Sequence, residues 1–472
     1  MITKSAGISA MSLKKVSGFI TGIFAVSIII AGISSCNKDF SPVDKAANVQ
    51  GANRSSAAQK PNIILFIADD FGYELPTFTG GQSYSTPSLD FMAANGMQFT
   101  YAFSHPDGYP SRLAMFTGKY NFRNYTFWGV LPASEKTIGN MLQDAGYATC
   151  FTGKWQQDGG DANIRRAGYE KYMVFLPFAN DINQGWRRYK NPLIYENGGF
   201  LPDSVVMNKY SEDFYSDYVC NFIDSNKNGT RPFFAIYATV LTGSPFSPTP
   251  DDGAAFDAWD YTQDTLREDK SYFPSMVKYE DKMIGKVMQK VRDAGLINNT
   301  CFIFCGDNGT PQKIVSQYND RPFRGGKNRT DRKGIRTPLV VYYPAMVNAD
   351  QKKGTLIDYT DFLPTLADIA GIPVPTGYGI LDGVSFYDEL TGASTSSRAW
   401  SFCKWDNSPL DEKIPIRYAF DYNYKLYDSS KNHNFYNLKK DTQEQRPIND
   451  ADLTPDEIIE KAYLQRVLDS LQ

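Results

Sequence analysis

Apolar and polar positions along this chain switch between two periods, and the switches outline its elements. Asn62–Ala68 is an unbroken apolar run that ends at two acids, the pattern of a strand buried on both faces of a parallel sheet. Thr86-Pro87 is a good helix start and predicts a helix over Ser88–Asn95. A second helix is predicted over Thr137–Ala145, stopped by Gly146, with a strand at Tyr147–Phe151 behind it. Phe233–Ala238, Thr300–Cys305 and Pro338–Tyr343 read as further buried strands. Met276, Tyr279, Met283, Val287 and Val291 recur at helical spacing before Gly295 and are read as core contacts. Strand alternating with helix predicts an α/β fold with a large, mostly parallel sheet sandwiched by helices. After about Pro373 the pattern changes to short aromatic strands, Arg417–Phe420 and Asn423–Tyr427, then a helix from Pro455. We therefore expect an α/β domain over 61–372 and a smaller C-terminal α+β subdomain on an antiparallel sheet over 373–472.

The first sixty residues follow another logic. Lys14 and Lys15 precede an apolar run from Val16 to Ile33, which ends at Ser34-Ser35-Cys36. A basic start, an apolar stretch and small residues before a cut are those of an export signal, and Met11 would be a compact start for it. Cys36 after small residues resembles a bacterial lipobox. The expectation is a signal over 1–35, a lipid on Cys36, a flexible polar tether over 36–60, and an exported lipoprotein facing the periplasm or the cell surface. An uncleaved membrane anchor is the competing reading, since the run is nearly long enough to span.

The whole chain carries a formal charge of −3. Loss of 1–35 removes three lysines and no acids, leaving 46 basic against 52 acidic residues and a charge of −6. That balance argues against a nucleic-acid partner, which needs a basic face to neutralise phosphates. Five cysteines remain after Cys36, none with metal-site spacing beside histidine. Cys305 lies two residues before a candidate ligand, but a buried core thiol is the better reading.

Candidate chemistry concentrates at strand ends. Asp69 and Asp70 close the first strand, where α/β sheets place ligands. Adjacent acids repel unless a cation compensates. Asp307-Asn308 repeats the arrangement after the Thr300–Cys305 strand. Three carboxylates and an amide oxygen make an all-oxygen set that suits Ca2+, or Mg2+, and not zinc.

The stretch Gly108-Tyr109-Pro110-Ser111-Arg112, running to Thr117-Gly118, resembles the sulfatase signature. In that family a Cys or Ser at the first position is oxidised to formylglycine, whose hydrated aldehyde attacks the ester. The resemblance continues in family order through Asp69-Asp70, Gly153-Lys154-Trp155, Asp307-Asn308, Arg324-Gly325-Gly326-Lys327, Gly334-Ile335-Arg336-Thr337-Pro338 and Asp361–Leu366, and ends at Tyr436-Asn437-Leu438. It implies an alkaline-phosphatase-like fold, a metal held by Asp69, Asp70, Asp307 and Asn308, and an anion clamp of Arg112, Lys154 and Lys327. Such a clamp would surround a sulfate ester with positive charge.

Three positions depart from the family. Gly108 has no side chain to oxidise, so no formylglycine is expected and the nucleophile position is vacant. Gln156 stands where the family has the histidine of Gly-Lys-Trp-His. Thr242-Gly243-Ser244-Pro245 replaces Pro-His-x-Pro, and the chain holds only His105 and His433. Two readings follow. One is a binding protein that keeps the cation and clamp to hold sulfated glycans, with formylglycine-dependent hydrolysis lost. The other is a sulfuric or phosphoric ester hydrolase that uses a metal-bound water or another nucleophile, such as Tyr109 or Ser111. A carboxylate or imidazole within reach of position 108 would favour the second. Trp128, Trp186 and Trp259 lie in loop-like stretches, and Trp186-Arg187-Arg188-Tyr189-Lys190 could rim the pocket, offering stacking and charge.

Overall fold

The computed structural model describes residues 60–181, 187–261, 267–394, 398–406 and 415–471. The predicted signal, Cys36 with its tether up to residue 59, and Trp186 lie outside the described residues.

The predicted central strand is present as β1, Asn62–Ala68. It is followed by β2 (Met97–Phe103), β3 (Ala148–Lys154) and β4 (Lys171–Phe175), then the short β5 (Tyr195–Glu196) and β6 (Gly199–Phe200). The chain continues through β7 (Phe233–Ala238), β8 (Thr300–Gly306), the hairpin β9 (Val315–Tyr318) and β10 (Arg321–Arg324), β11 (Leu339–Tyr342) and β12 (Gln351–Asp358). Ten of these strands form one sheet in the order β12-β2-β11-β8-β1-β7-β3-β4-β5-β6. β1 lies between β8 and β7, parallel to both, so its carboxyl end and that of β8 emerge side by side. β11 runs antiparallel to its two neighbours, which makes the sheet mixed but mostly parallel.

The period of two along β1 divides the core. Ile64 and Phe66 pack with Val219, Ile223, Met276, Ile284 and Val287, from the helices Ser211–Asn226 and Phe273–Asp293. Ile63, Leu65 and Ile67 pack with Leu113, Met141 and Leu366, from the helices Gly108–Thr117, Ile138–Asp144 and Phe362–Ile369. Both faces are covered, so the strand can be apolar throughout.

Differences from the sequence reading are local. Thr137 is not the first residue of its helix but its cap: its hydroxyl accepts the Gly139 N–H at 3.1 Å while Asn140 Oδ1 accepts the Thr137 N–H at 3.0 Å. The strand predicted at 147–151 runs on to Lys154, which carries that lysine into the site.

The C-terminal part contributes a four-stranded antiparallel sheet: β13 (Ser401–Trp405), β14 (Ile416–Phe420), β15 (Tyr424–Tyr427) and β16 (Phe435–Asn437). One face packs on Phe103, Ile335 and Leu356 of the large domain. The other is covered by Leu464 and Leu468 of the Pro455–Ser470 helix. Arg398, just ahead of β13, joins the two parts. Its Nε donates to both oxygens of Asp361 (2.8 and 3.0 Å), Nη1 to Tyr120 Oη (2.8 Å) and Nη2 to the Asp382 carbonyl (2.8 Å). Arg398 and Asp361 are both buried. Arg398→Ala leaves that carboxylate buried without its partner, and we expect it to lower unfolding free energy by about 3–5 kcal/mol in a urea titration.

Candidate functional site

The sequence places three acids at two neighbouring strand ends, and the fold brings them together. Asp69 and Asp70 follow β1, and Asp307 follows β8. The Asp307 N–H donates to the Ala68 carbonyl at 2.8 Å, so the two ends are tied. Asp70 takes a left-handed backbone (φ 58°), an uncommon conformation for a residue other than glycine. Its N–H donates to Asp307 Oδ1 at 2.9 Å. One oxygen from each of Asp69, Asp70 and Asp307 lies within 4.8 Å of the others, and all three residues are buried. Asn308 completes the set. Its Nδ2 donates to Asp70 Oδ1 and to the Gly309 carbonyl, both at 2.9 Å, while its Oδ1 is buried without a hydrogen-bond partner. Converging carboxylates and an orphaned amide oxygen fit a hard divalent cation.

Four basic side chains meet these acids. Arg112, one turn into the Gly108–Thr117 helix, donates to Asp307 Oδ2 through Nε at 3.0 Å and forms an ion pair with it, Nη2 lying 2.9 Å from the same oxygen. Its Nη1 donates to the Lys154 carbonyl at 2.6 Å. Lys154 Nζ pairs with Asp69 Oδ1, and Lys327 Nζ with Asp70 Oδ1 at 2.6 Å. The fourth cation is Arg188, which pairs with Asp69 Oδ2 and donates from Nη1 to the Ser244 carbonyl at 2.9 Å. Sequence reasoning placed Arg188 only in a stretch that could rim the pocket. Its one available signal was a basic run beside a tryptophan, which is as common on a solvated face.

The charges set the electrostatics. Burial pushes the Asp69 carboxyl up, but Lys154, Arg188, Lys327 and Arg112 outweigh it and hold the group well below the usual carboxylate range. Burial, only partly offset by Arg112, pushes Asp307 up to about 6. Burial lowers Lys154. Burial opposes the charge of Lys327 as well, but Asp70, Asp107 and Asp69 outweigh it and raise that ammonium. Lys327 and Arg188 form the reachable edge, with side chains 27% and 11% exposed, whereas Arg112 is 1% exposed.

Two glycines face this cluster. A Cβ on Gly108 would stand well inside van der Waals contact with Asp307 Oδ2 and 3.1 Å from Asn308 Oδ1. A Cβ on Gly243 would overlap Asp69 Oδ2 and Arg188 Nη2. At both positions where the family has a reacting side chain, charged atoms of the cluster fill the volume.

The remaining candidates fall elsewhere. Gln156 has a left-handed backbone (φ 55°), is half-buried, and donates its N–H to the Phe175 carbonyl at 3.5 Å. Ser111 Oγ accepts the His105 N–H at 2.9 Å and donates to the Asp107 carbonyl at 2.7 Å, a helix-terminus role and not a nucleophile's. Tyr109 is buried against Tyr125 and Trp128, and burial raises its hydroxyl further. His105 is buried, which lowers its imidazole below the usual range, and His433 is exposed in a turn. Cys305 is a buried core thiol raised by burial. Trp128 lines a cavity beside the site. Trp259 does not rim it: that ring is buried in the core, against Tyr261 and Tyr272.

The chain belongs to the sulfatase family. The family model described as Sulfatase matches residues 61–372, and that described as N-sulphoglucosamine sulphohydrolase, C-terminal, matches 327–470. Arylsulfatase A of Homo sapiens is 29% identical over 372 residues, covering 73% of this chain and 70% of that protein. N-acetylgalactosamine-6-sulfatase of Homo sapiens is 27% identical over 458 residues, covering 85% and 84%. Among solved structures, Ps i-CgsB in complex with k-i-k-neocarrahexaose superposes with a TM-score of 0.72 at 23% identity, covering 87% of this chain and 92% of that one. A protein bound to its substrate D-glucosamine-2-N,6-O-disulfate superposes with a TM-score of 0.69 at 19% identity, covering 88% and 97%.

The filled volume at residue 243 is directly testable. Gly243→Ala should lower stability by about 1–3 kcal/mol through overpacking. Part of that loss should return in the Arg188→Ala background, a coupling read from a double-mutant cycle of thermal melts.

Proposed function

We propose that this sulfatase-family protein binds a divalent cation, Ca2+ in preference to Mg2+, together with the sulfate-ester group of a sulfated glycan, and that ordinary formylglycine-dependent hydrolysis is lost. The observation that carries the reading is Gly108: it has nothing to oxidise, and the Asp307 carboxylate leans into the space a nucleophile's Cβ would need. Asp69, Asp70, Asp307 and Asn308 would hold the cation, which when bound supplies Lewis-acid charge to a sulfuryl oxygen. Lys327 and Arg188 meet the entering anion first, and Lys154 and Arg112 hold the carboxylates in register beneath them. Three carboxylates face four fixed cations, and Asp107 acts on Lys327 as a fourth acid, so the charges of the site are close to balanced before a metal enters. The glycan class is supported by the sulfated-sugar names of the relatives and structural neighbours.

A second reading has one observation in its favour. Asp107 precedes Gly108, lines the adjacent cavity and acts on Lys327 through its charge. In a surviving hydrolase it would be the base that takes a proton from water attacking the ester. Asp307 also reaches position 108, but Oδ1 is taken by the Asp70 N–H and Oδ2 by Arg112.

Incubating the protein with calcium and a panel of sulfated glycans and aryl sulfates separates the two. Calcium-dependent retention without released sulfate is expected, abolished in Asp70→Ala and weakened about tenfold or more in Lys327→Ala. Released sulfate that disappears in Asp107→Asn would overturn the binding reading and establish the second. We also propose export and lipid attachment at Cys36, from the basic, apolar and small-residue order of the first 36 residues. Incorporation of labelled palmitate that is absent from Cys36→Ser is the expected result.

A further inference from the structure

Glu212 is a buried acid outside the carboxylate cluster. It is the second residue of the Ser211–Asn226 helix and is fully enclosed. Its three hydrogen bonds come from neutral donors. Oε2 accepts from Tyr237 Oη at 2.5 Å, and Oε1 accepts the N–H groups of Val240 and Leu241 at 2.6 and 3.2 Å. A carboxylate withdrawn from water is costly, and these donors are what make it tolerable. Burial pushes the carboxyl up to about 7, against the three bonds and the charge of Arg188, which favour the ionised form.

What Oε1 grips decides the role of this side chain. Val240 and Leu241 are successive residues of the strap that follows β7. Their own carbonyls hold the two halves of the Asp69–Arg188 ion pair, one each. The Val240 carbonyl accepts from Arg188 Nη2 at 2.5 Å and from Tyr189 Oη at 3.0 Å. The Leu241 carbonyl accepts the Asp69 N–H at 2.9 Å, and the Thr242 N–H returns to the Asp69 carbonyl at 2.7 Å. Further along the strap, the Ser244 carbonyl accepts from Arg188 Nη1 at 2.9 Å. Glu280, a second buried acid, meets the strap at the Thr239 hydroxyl (2.8 Å), and its other oxygen is without a hydrogen-bond partner. Glu212 is therefore the acid that pins the strap by its backbone.

We infer that Glu212 is a positioning residue of the anion site: by gripping the Val240 and Leu241 N–H groups, it fixes the strap whose carbonyls hold Arg188 and Asp69 in place for an entering sulfate ester. The inference rests on the proposed sulfate-ester ligand and deepens it. A long, rotamer-rich side chain that the ligand itself must immobilise weakens binding by about three- to tenfold, and a strap pinned in advance removes that loss for Arg188.

Two readouts test this, and the first needs no ligand. A guanidinium held by two carbonyls and a carboxylate rotates slowly and gives separate NMR signals for its η protons in arginine-labelled protein. The Arg188 signals are assigned by their absence from Arg188→Lys. They should be separate in the wild type and in Glu212→Gln, whose amide oxygen can accept the same two N–H groups. They should collapse to an average in Glu212→Met, which fills the volume without an acceptor. Should Glu212→Met not fold, Tyr237→Phe takes its place: it frees Oε2, and broadened Arg188 signals are expected, unchanged ones overturning the role. The second readout is calorimetry with calcium and a sulfated N-acetylhexosamine. Glu212→Met should weaken binding about three- to tenfold, Glu212→Gln should retain it, and Glu212→Met should add nothing in an Arg188→Ala background. Separate signals that survive Glu212→Met, or losses that add to those of Arg188→Ala, would overturn the positioning role. A wild-type protein that binds no sulfated probe would overturn the sulfate-ester reading, and the NMR comparison alone then decides whether Glu212 fixes Arg188.

Discussion

Three buried carboxylates at the meeting of two strand ends are the constraint from which the rest of this site follows. Asp69, Asp70 and Asp307 crowd within 4.8 Å, and like charges so close cannot all stay ionised without compensation. The fold answers from four directions. Arg112 comes from the helix after residue 108, Lys154 from the end of β3, Lys327 from the turn after β10, and Arg188 from the segment ahead of β5. Each is held by backbone or carboxylate oxygens, so the basic groups are preorganised.

How much of this was legible depends on how local the signal is. β1 and β7 carry bounded apolar runs and were read to the residue. β2 and β12 were not, because Gln98 and Thr100 interrupt one run and Gln351, Lys352 and Lys353 open the other as an exposed sheet edge. The acids, Arg112, Lys154 and Lys327 were found because each stands on a motif with a fixed neighbour pattern. Arg188 has no such pattern. It reaches Asp69 across 119 residues, and only the fold closes that distance. The consequence of Gly243 was likewise invisible. Sequence shows that a histidine is missing; only the backbone shows that a guanidinium stands in its space.

Gly108 and Gly243 together change the chemistry the frame can perform. A nucleophile and an imidazole move atoms and protons. The groups that face their volumes are a carboxylate whose oxygens are held by Arg112 and the Asp70 N–H, and an always-charged guanidinium. On the proposed reading, such a site is stronger in fixed charge and poorer in proton transfer than the family pattern implies, and it holds an ester instead of cleaving it.

The most direct test is a diffraction structure of crystals grown with calcium and a sulfated N-acetylhexosamine. The account predicts anomalous density for one cation among Asp69, Asp70, Asp307 and Asn308. It also predicts an intact sulfate ester against Lys327 and Arg188 after days in the crystal. Desulfated sugar with free sulfate in the site, or a clamp that binds neither cation nor ester, would contradict it.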